Sequence, residues 1–285
     1  MEKISYATYG GERPLFGTHD LSLDHVRILP GESALKETSN IEAVNCEFNG
    51  KYPFWHTHGF TVRDCLFREG ARAALWYSDH LDMEDTLILA PKMFREMTDL
   101  KLRRVRIPHA GETMWGCHGI DLEEVEAAEA DYIFMGCTEV KARKIRIDGN
   151  YSFQKSRNVE ISDSVLNSKD AFWESENVTV RDSVLNGEYL GWHSKSLTLI
   201  NCKISGTQPL CYAENLKLVN CTMAPDADLA FEYSSVDAEV RSAVTSVKNP
   251  LTGRIRAEGY GEIIIDKNLK APGDCVIDTF KEPKA

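Results

Sequence analysis

Residues 158–167 read NVEISDSVLN, and residues 177–186 read NVTVRDSVLN. A third segment, residues 196–205, reads SLTLINCKIS. All three follow one rule: apolar, any, apolar, two further residues, small or apolar, any, apolar. Apolar residues that alternate with others over three positions are typical of a β-strand and not of a helix. The segments therefore predict short strands that return at a fixed interval.

The first apolar residue of this pattern recurs along nearly the whole chain, at intervals of 19 to 21 residues with a mean of 19.5. The thirteen recurrences are Leu21, Ile41, Phe60, Leu81, Leu100, Ile120, Val140, Val159, Val178, Leu197, Leu216, Val236 and Ile255. This rhythm differs from those of leucine-rich, hexapeptide and pentapeptide repeats, and it predicts a parallel β-helix with one coil per repeat. By analogy with strand crossovers we expect a right-handed winding.

Corner residues divide each repeat. Asn, Asp, Gly or His commonly precedes the first apolar residue, Asn or Asp often follows it by four positions, and several repeats carry a glycine at a third corner. Asn, Asp and Gly tolerate the left-handed backbone that tight corners need. Three corners predict three short strands per coil, in an all-β, right-handed, single-stranded parallel β-helix of about 13 coils.

We expect one domain over residues 1–285. Residues 1–20 break the repeat and are predicted to cap the first coil, residues 21–260 to form the coils, and residues 261–285 to form a C-terminal cap and a mobile tail. Open coil ends would otherwise offer unpaired strand edges to other chains.

Two columns of residues are expected to fill the interior. Five positions after the first apolar residue the chain repeatedly carries small residues, including four of its eight cysteines, which pack as small hydrophobes. The third side of each coil carries large anchors, which include all five tryptophans. These anchors are Trp55, Trp76, Phe94, Trp115, Phe134, Phe153, Trp173, Trp192 and Phe231. The pattern favours inward anchors, but the apolar residue before most of them leaves an outward tryptophan column open.

The repeated NVxVxDSxLN segments, the Trp-x-Ser ends (Trp173–Ser175 and Trp192–Ser194) and the opening YGGERPLF of residues 9–16 carry a resemblance. With them the chain resembles an uncharacterised bacterial family of single-domain, right-handed parallel β-helices, labelled a domain of unknown function. The broader fold resembles that of pectin lyases and polygalacturonases. The resemblance implies the fold over essentially the whole chain, and it implies no site residues because that family has no established catalytic ones.

Composition narrows the possible partners. The 33 basic and 44 acidic residues give a net charge of −11, which argues against a nucleic-acid partner. The chain shows no apolar run of membrane length, and its first residues lack the apolar core of a secretory signal. We therefore expect a cytoplasmic protein with reduced cysteines, no membrane partner and no cofactor.

The candidate site is the column directly after the anchors, which would face outward if the anchors face inward. It contains Glu174, His193 and Tyr212 on successive coils, where a carboxylate beside an imidazole could serve as an acid–base pair. These three are the candidate catalytic residues. The same column supplies four candidate ligand-binding residues, which are His56, Tyr77, Arg95 and Glu232.

Alternatives remain open at this point. His56 and His58, with Asp79 and His80 one coil on, could bind a transition metal, but no third ligand is secured and no metal site is predicted. An outward tryptophan column would be a stacking platform for sugars. The leading hypothesis is a protein that binds or processes a carbohydrate-like or other small polar ligand on an exposed strand face. The alternative is a structural or interaction scaffold that self-associates through a flat face. Whether the protein is an enzyme does not follow from the residues.

Overall fold

The computed structural model describes residues 1–73, 75–267 and 273–280. It contains two compact units, Met1–Gly149 and Asn150–Ala285. Within the described residues the structure is all-β apart from one short 3₁₀ turn at Glu69–Ala71. No helix among them is long and apolar enough to cross a membrane. Whether the coils make one domain stays a prediction.

In the first unit each coil carries two strands separated by one corner, and from β5 onward the first strand of each coil is the longer one. The first strands are β1 (Glu2–Ser5), β3 (His19–Asp24), β5 (Ser39–Val44), β7 (His58–Arg63), β9 (Asp79–Glu84), β11 (Thr98–Arg103), β13 (His118–Glu123) and β15 (Thr138–Arg143). The second strands are β2 (Thr8–Glu12), β4 (Arg27–Glu32), β6 (Glu47–Phe48), β8 (Leu66–Phe67), β10 (Leu87–Ile88), β12 (Arg106–Ile107), β14 (Glu126–Ala127) and β16 (Arg146–Asp148).

The second unit begins in the same way and ends with long strands. Its paired short strands are β17 (Arg157–Ser162), β18 (Val165–Asn167), β19 (Glu176–Arg181), β20 (Val184–Asn186), β21 (Lys195–Ile200) and β22 (Lys203–Ser205). Four strands follow, which are β23 (Leu216–Met223), β24 (Ser235–Lys248), β25 (Thr252–Ile264) and β26 (Val276–Thr279).

The predicted repeat sets the strand register. Leu21 pairs with Ile41 and Ile41 with Phe60 in the first unit, always in parallel. Val178 lies between Val159 and Leu197 in the second. Equivalent apolar residues therefore stack coil upon coil and close a buried column. The fold is a parallel β-solenoid, and its handedness stays a prediction.

The third side of the coils differs from the expectation of a third strand. It is built from turns with isolated parallel bridges, such as those that join Arg95 to Trp76 and to Trp115. Non-glycine residues with positive φ recur there, for example Phe172 (63°) and Glu174 (53°). A left-handed residue breaks the strict alternation of a strand, so this side cannot present every second side chain inward.

The tryptophans do not face the interior, and the expectation of inward tryptophans is wrong. All five are half-buried, and the residue before each is buried: a fully buried side chain in four of the coils, and Gly191 before Trp192. The buried column is Phe54, Leu75, Phe94, Met114 and Phe134 in the first unit and Phe153, Phe172, Leu210 and Phe231 in the second. The predicted anchor column had joined residues from two adjacent columns.

The small inward column is confirmed. Cys46, Cys65, Cys202 and Cys221 are buried, and every cysteine in the chain is a free thiol. A second column of mostly small buried residues lies two positions after the tryptophans, and its hydroxyls bond to backbone carbonyls, as Ser175 Oγ does to Phe172 O at 2.8 Å. A hydroxyl is tolerated in the core here because a carbonyl accepts its hydrogen bond.

Residues 1–20 contain a further pair of strands that joins the coils, and their role as a cap stays a prediction. β1 pairs in register with β3, and β2 pairs with β4 with a shift in register between Tyr9 and Gly11. At the other end, β25 runs past Gly261 without a break, and β26 pairs with its first half, as Ile255 does with Ile277. The predicted mobile tail, residues 281–285, lies outside the described residues.

Candidate functional site

The candidate catalytic residues occupy one corner of consecutive coils in the second unit. Glu174, His193 and Tyr212 have φ values of 53°, 55° and 56°. Their backbone N–H groups donate to the next coil, from His193 to Cys211 O at 3.3 Å and from Tyr212 to Glu232 O at 2.6 Å. These bonds hold the corner while leaving the side chains on the outside. The sequence therefore placed these three residues together correctly.

The corner continues as a ladder of aromatic rings. The rings of His193 and Tyr212 stack with centroids 5.0 Å apart and planes at 21°, and Tyr212 stacks on Tyr233 at 5.6 Å and 24°. Rings stacked face to face along the coils present their edges to solvent. We name this row of side chains, Lys155, Glu174, His193, Tyr212 and Tyr233, the corner ladder.

Tyr233 is a ladder member that sequence reasoning missed. Aligning Phe231 with the tryptophans made Glu232 the equivalent of Tyr212, whereas the structure sets Glu232 one column inward. The spacing in the sequence identifies Tyr233 as the next member of the ladder, because it follows Tyr212 by 21 residues, within the observed range of the repeat.

Glu174 and His193 do not form the expected acid–base pair. The Glu174 carboxylate lies 3.5 Å from Lys155 Nζ, one coil earlier at the same corner. The His193 ring contacts Tyr212 and the indoles of Trp173 and Trp192. Opposite charges stacked on neighbouring coils attract, so the carboxylate is drawn towards the lysine.

Glu232 lies beneath the ladder instead of on its surface. It is 7% exposed, and its carboxylate is 2.9 Å from Lys248 Nζ. The hydrogen bond to Glu232 raises the pKa of Lys248. Burial, and then the nearby Glu232 carboxylate, raise the pKa of Tyr212. The Tyr212 phenol is therefore a neutral hydrogen-bond donor near neutral pH.

In the first unit, two of the candidate ligand-binding residues lie together. His56 and Tyr77 occupy the same corner on successive coils, with ring centroids 5.4 Å apart. Trp55 and Trp76 lie beside them, 5.7 Å apart and tilted by 41°. These four rings make a half-exposed aromatic patch.

Arg95 belongs to the tryptophan column. Its guanidinium lies 4.4 Å from the ring centroid of Trp76 and 4.6 Å from that of Trp115. Its Nε is buried and makes no hydrogen bond to any described residue. The corner position in this coil is held by Glu96, with φ 49°. The arginine therefore serves as a cation between two indoles.

The histidines near this patch have separate partners. His56 stacks on Tyr77, while His58 Nδ1 lies 2.7 Å from Asp79 Oδ2. Among the residues that the structure describes, no group of three or more His, Cys, Asp or Glu side chains could hold a metal ion.

Comparison with known families gives a match over residues 2–278 to the model of a family described as protein of unknown function (DUF3737). The chain belongs to this family. No curated protein matches it.

Solved structures similar to this DUF3737 member are distant in sequence. The Streptococcus pneumoniae surface protein and adhesin PfbA is 8% identical over 98% of this chain and 91% of its own, with a TM-score of 0.38. The plasmid-mediated fluoroquinolone resistance protein QnrB1 is 9% identical over 70% of this chain and 93% of its own, with a TM-score of 0.29. A variant of the periplasmic alginate epimerase AlgG is 8% identical over 98% of this chain and 74% of its own, with a TM-score of 0.25. Likenesses at this level support no specific function.

Proposed function

We propose that the protein binds a carbohydrate-like polar ligand along the corner ladder of its second unit. The observation that carries the proposal is a row of hydrogen-bonding side chains, one per coil, that face solvent. Within the described structure, neither the His193 ring nitrogens nor the hydroxyls of Tyr212 and Tyr233 make a hydrogen bond. Polar groups that are ordered by ring stacking and remain unpaired are available to a ligand.

The spacing of these groups suits a ligand with repeated hydroxyls. Neighbouring coils lie about 4.8 Å apart, so the imidazole and the two phenols offer donors and acceptors at a regular interval. Lys155 and Glu174 extend the row with a cation and an anion. Saccharides carry many hydroxyls that both donate and accept, which matches this mixed row better than a purely apolar or purely charged ligand does.

The tryptophans next to the ladder add an apolar wall. Trp192 contacts Tyr212 edge-on at 5.1 Å, and Trp173 is tilted by 54° to Trp192. Because the two indoles are tilted and half-buried, part of each ring face stays open. The C–H face of a sugar ring packs on such a surface.

Titration with a panel of neutral and uronate-containing oligosaccharides, followed by calorimetry and tryptophan fluorescence, tests the proposal. We expect Tyr212→Phe to weaken binding roughly 2- to 10-fold, because it removes one hydrogen bond and keeps the ring. Tyr189→Phe is the matched control, since Tyr189 also contacts Trp192 but stands at another corner. Failure of every saccharide to bind, or equal loss in both variants, would refute the proposal.

A further inference from the structure

Three polar residues occupy one position on consecutive coils of the first unit. Ser39 begins β5, His58 begins β7 and Asp79 begins β9. Ser39 is the register partner of His58, and His58 is the register partner of Asp79. Register partners of neighbouring strands lie about 4.8 Å apart on one face. A hydroxyl, an imidazole and a carboxylate are therefore aligned in that order.

Asp79 is held in its ionised form between two imidazoles. Its Oδ2 lies 2.7 Å from His58 Nδ1, and its Oδ1 lies 2.8 Å from His80 Nδ1. Burial opposes ionisation, but the hydrogen bonds from His80 and His58 outweigh it and lower the pKa of Asp79. Because a carboxylate only accepts, His58 donates through Nδ1.

This hydrogen bond sets the tautomer of the neutral His58 ring. A neutral imidazole that carries its proton on Nδ1 has its lone pair on Nε2. His58 lies between the coils that carry Ser39 and Asp79, and its Nδ1 is taken by Asp79, so Nε2 is the ring nitrogen left for Ser39. Neither Nε2 of His58 nor the Ser39 hydroxyl bonds to any residue described here, and the His58 side chain is 58% exposed. Both groups are open to a substrate.

The same unit contains a matched arrangement without the carboxylate. Thr98, His118 and Thr138 are register partners at this position on three later coils. His118 Nδ1 lies 2.8 Å from Thr138 Oγ1. A hydroxyl lacks the negative charge that fixes the tautomer of the histidine and stabilises an imidazolium. The column of Thr98, His118 and Thr138 therefore repeats the spacing of Ser39, His58 and Asp79 but lacks the carboxylate charge.

We propose that Ser39, His58 and Asp79 form a second site that hydrolyses exposed carboxylic esters. Ser39 Oγ attacks the ester carbonyl carbon while His58 Nε2 takes the hydroxyl proton. The bond from that carbon to the alcohol oxygen breaks, and His58 returns the proton to the departing alcohol. Water then adds to acyl-Ser39 and gives a proton to Nε2. The acid is released, and Ser39 Oγ regains the proton. Asp79 is a positioning residue for His58.

The open surface restricts the substrate class. Ser39 and Asp79 are half-buried at the first positions of their strands and His58 is exposed, so the site suits a small acyl group carried on the outside of a larger molecule. It is separate from the corner ladder, which belongs to the other unit, so the two proposals fail or succeed independently.

A fluorophosphonate probe, which phosphonylates nucleophilic serines with loss of fluoride, tests the site in the full-length protein. We expect peptide mapping to find the label on Ser39, with none at that position in Ser39→Ala. His58→Gln is expected to slow labelling about 100-fold, the effect of losing a general base. His118→Gln, the matched control, is expected to label at the parent rate.

The role of Asp79 has its own measurement. We expect Asp79→Asn to slow labelling and to change the tautomer of His58, which ¹⁵N NMR of the imidazole reports. Circular dichroism shows whether Asp79→Asn is folded. If it is not folded, the comparison of labelling in the parent protein and in Ser39→Ala still tests the proposal. Absence of label on Ser39 in the folded parent protein would overturn the proposal. Equal labelling rates in the parent protein and in His58→Gln would also overturn it. So would a labelling rate that falls as much in His118→Gln as in His58→Gln.

Discussion

Phe172 and Trp173 are neighbours in the chain, yet they lie on opposite sides of the solenoid wall. Phe172 is fully buried and stacks on Phe153 at 5.5 Å, whereas Trp173 is half-exposed. The left-handed backbone at Phe172 places the larger ring outside. An indole N–H also needs an acceptor, which the coil surface supplies, as Trp192 Nε1 shows with Gln208 O at 2.8 Å. At this turn, the size of a side chain therefore does not predict whether it points inward or outward. Its polarity is the better guide.

The largest expected effect on stability distinguishes Phe172 from Trp173. We expect Phe172→Ala to lower the free energy of unfolding by about 3–5 kcal/mol, because it leaves a cavity between stacked coils. Trp173→Ala removes a half-buried ring and is expected to cost about 1–2 kcal/mol. Urea denaturation measures both. Equal costs, or a larger cost for Trp173→Ala, would reverse the assignment of inside and outside.

A smaller effect is expected within the outward column itself. Arg95 contacts two indoles, so we expect Arg95→Ala to cost about 1–2 kcal/mol of unfolding free energy. Arg103→Ala is the control, since Arg103 forms only an exposed ion pair with Asp82 at 3.4 Å and is expected to cost less than about 0.5 kcal/mol. Equal losses would show that the indoles do not hold the guanidinium.

The smallest effect is expected on the outer polar face. Hydrogen bonding to Asp79 raises the pKa of His80, so the stability from this pair is complete below the ordinary value of 6.5 and disappears as the pH rises through the folded value. The pKa of Asp79 is lowered in the folded protein, so its ionised form stabilises the fold fully above the ordinary pKa of 3.8. This stabilisation is lost as the pH falls through the pKa that Asp79 has in the folded protein.

We therefore expect His80→Gln to lower stability slightly at about pH 5.5 and to have no effect at about pH 9. His118→Gln, whose partner is the Thr138 hydroxyl, is the control and should lack this trend. Thermal denaturation over this range measures the difference. A loss that grows with rising pH would contradict the assignment.

The sequence predicts the parallel solenoid and its register because, within each unit, the apolar residues of the first strand of each coil face a buried core. Residues as far apart as Leu21 and Leu197 obey the same rule, and the structure stacks both in buried columns. The side that carries the tryptophans could not be predicted in the same way. Left-handed residues interrupt its alternation, so two adjacent aromatic or apolar residues look equivalent in sequence.

That one-column error explains the errors at the candidate site. Glu174, His193 and Tyr212 were placed correctly because each follows a tryptophan or its equivalent. Arg95 and Glu232 follow a buried phenylalanine and were assigned one column too far outward. The same slip hid Tyr233. The link between His58 and Asp79 was visible as a one-coil spacing, but the hydrogen bond itself depends on side-chain rotamers that the sequence does not show.

Collisional quenching of tryptophan fluorescence by acrylamide tests the central claim most directly, because all five tryptophans are assigned to the outside of the wall. The structure predicts substantial quenching of the native protein, with a modest further increase on denaturation. Native fluorescence that resists acrylamide until the protein unfolds would show that the indoles lie within the coils.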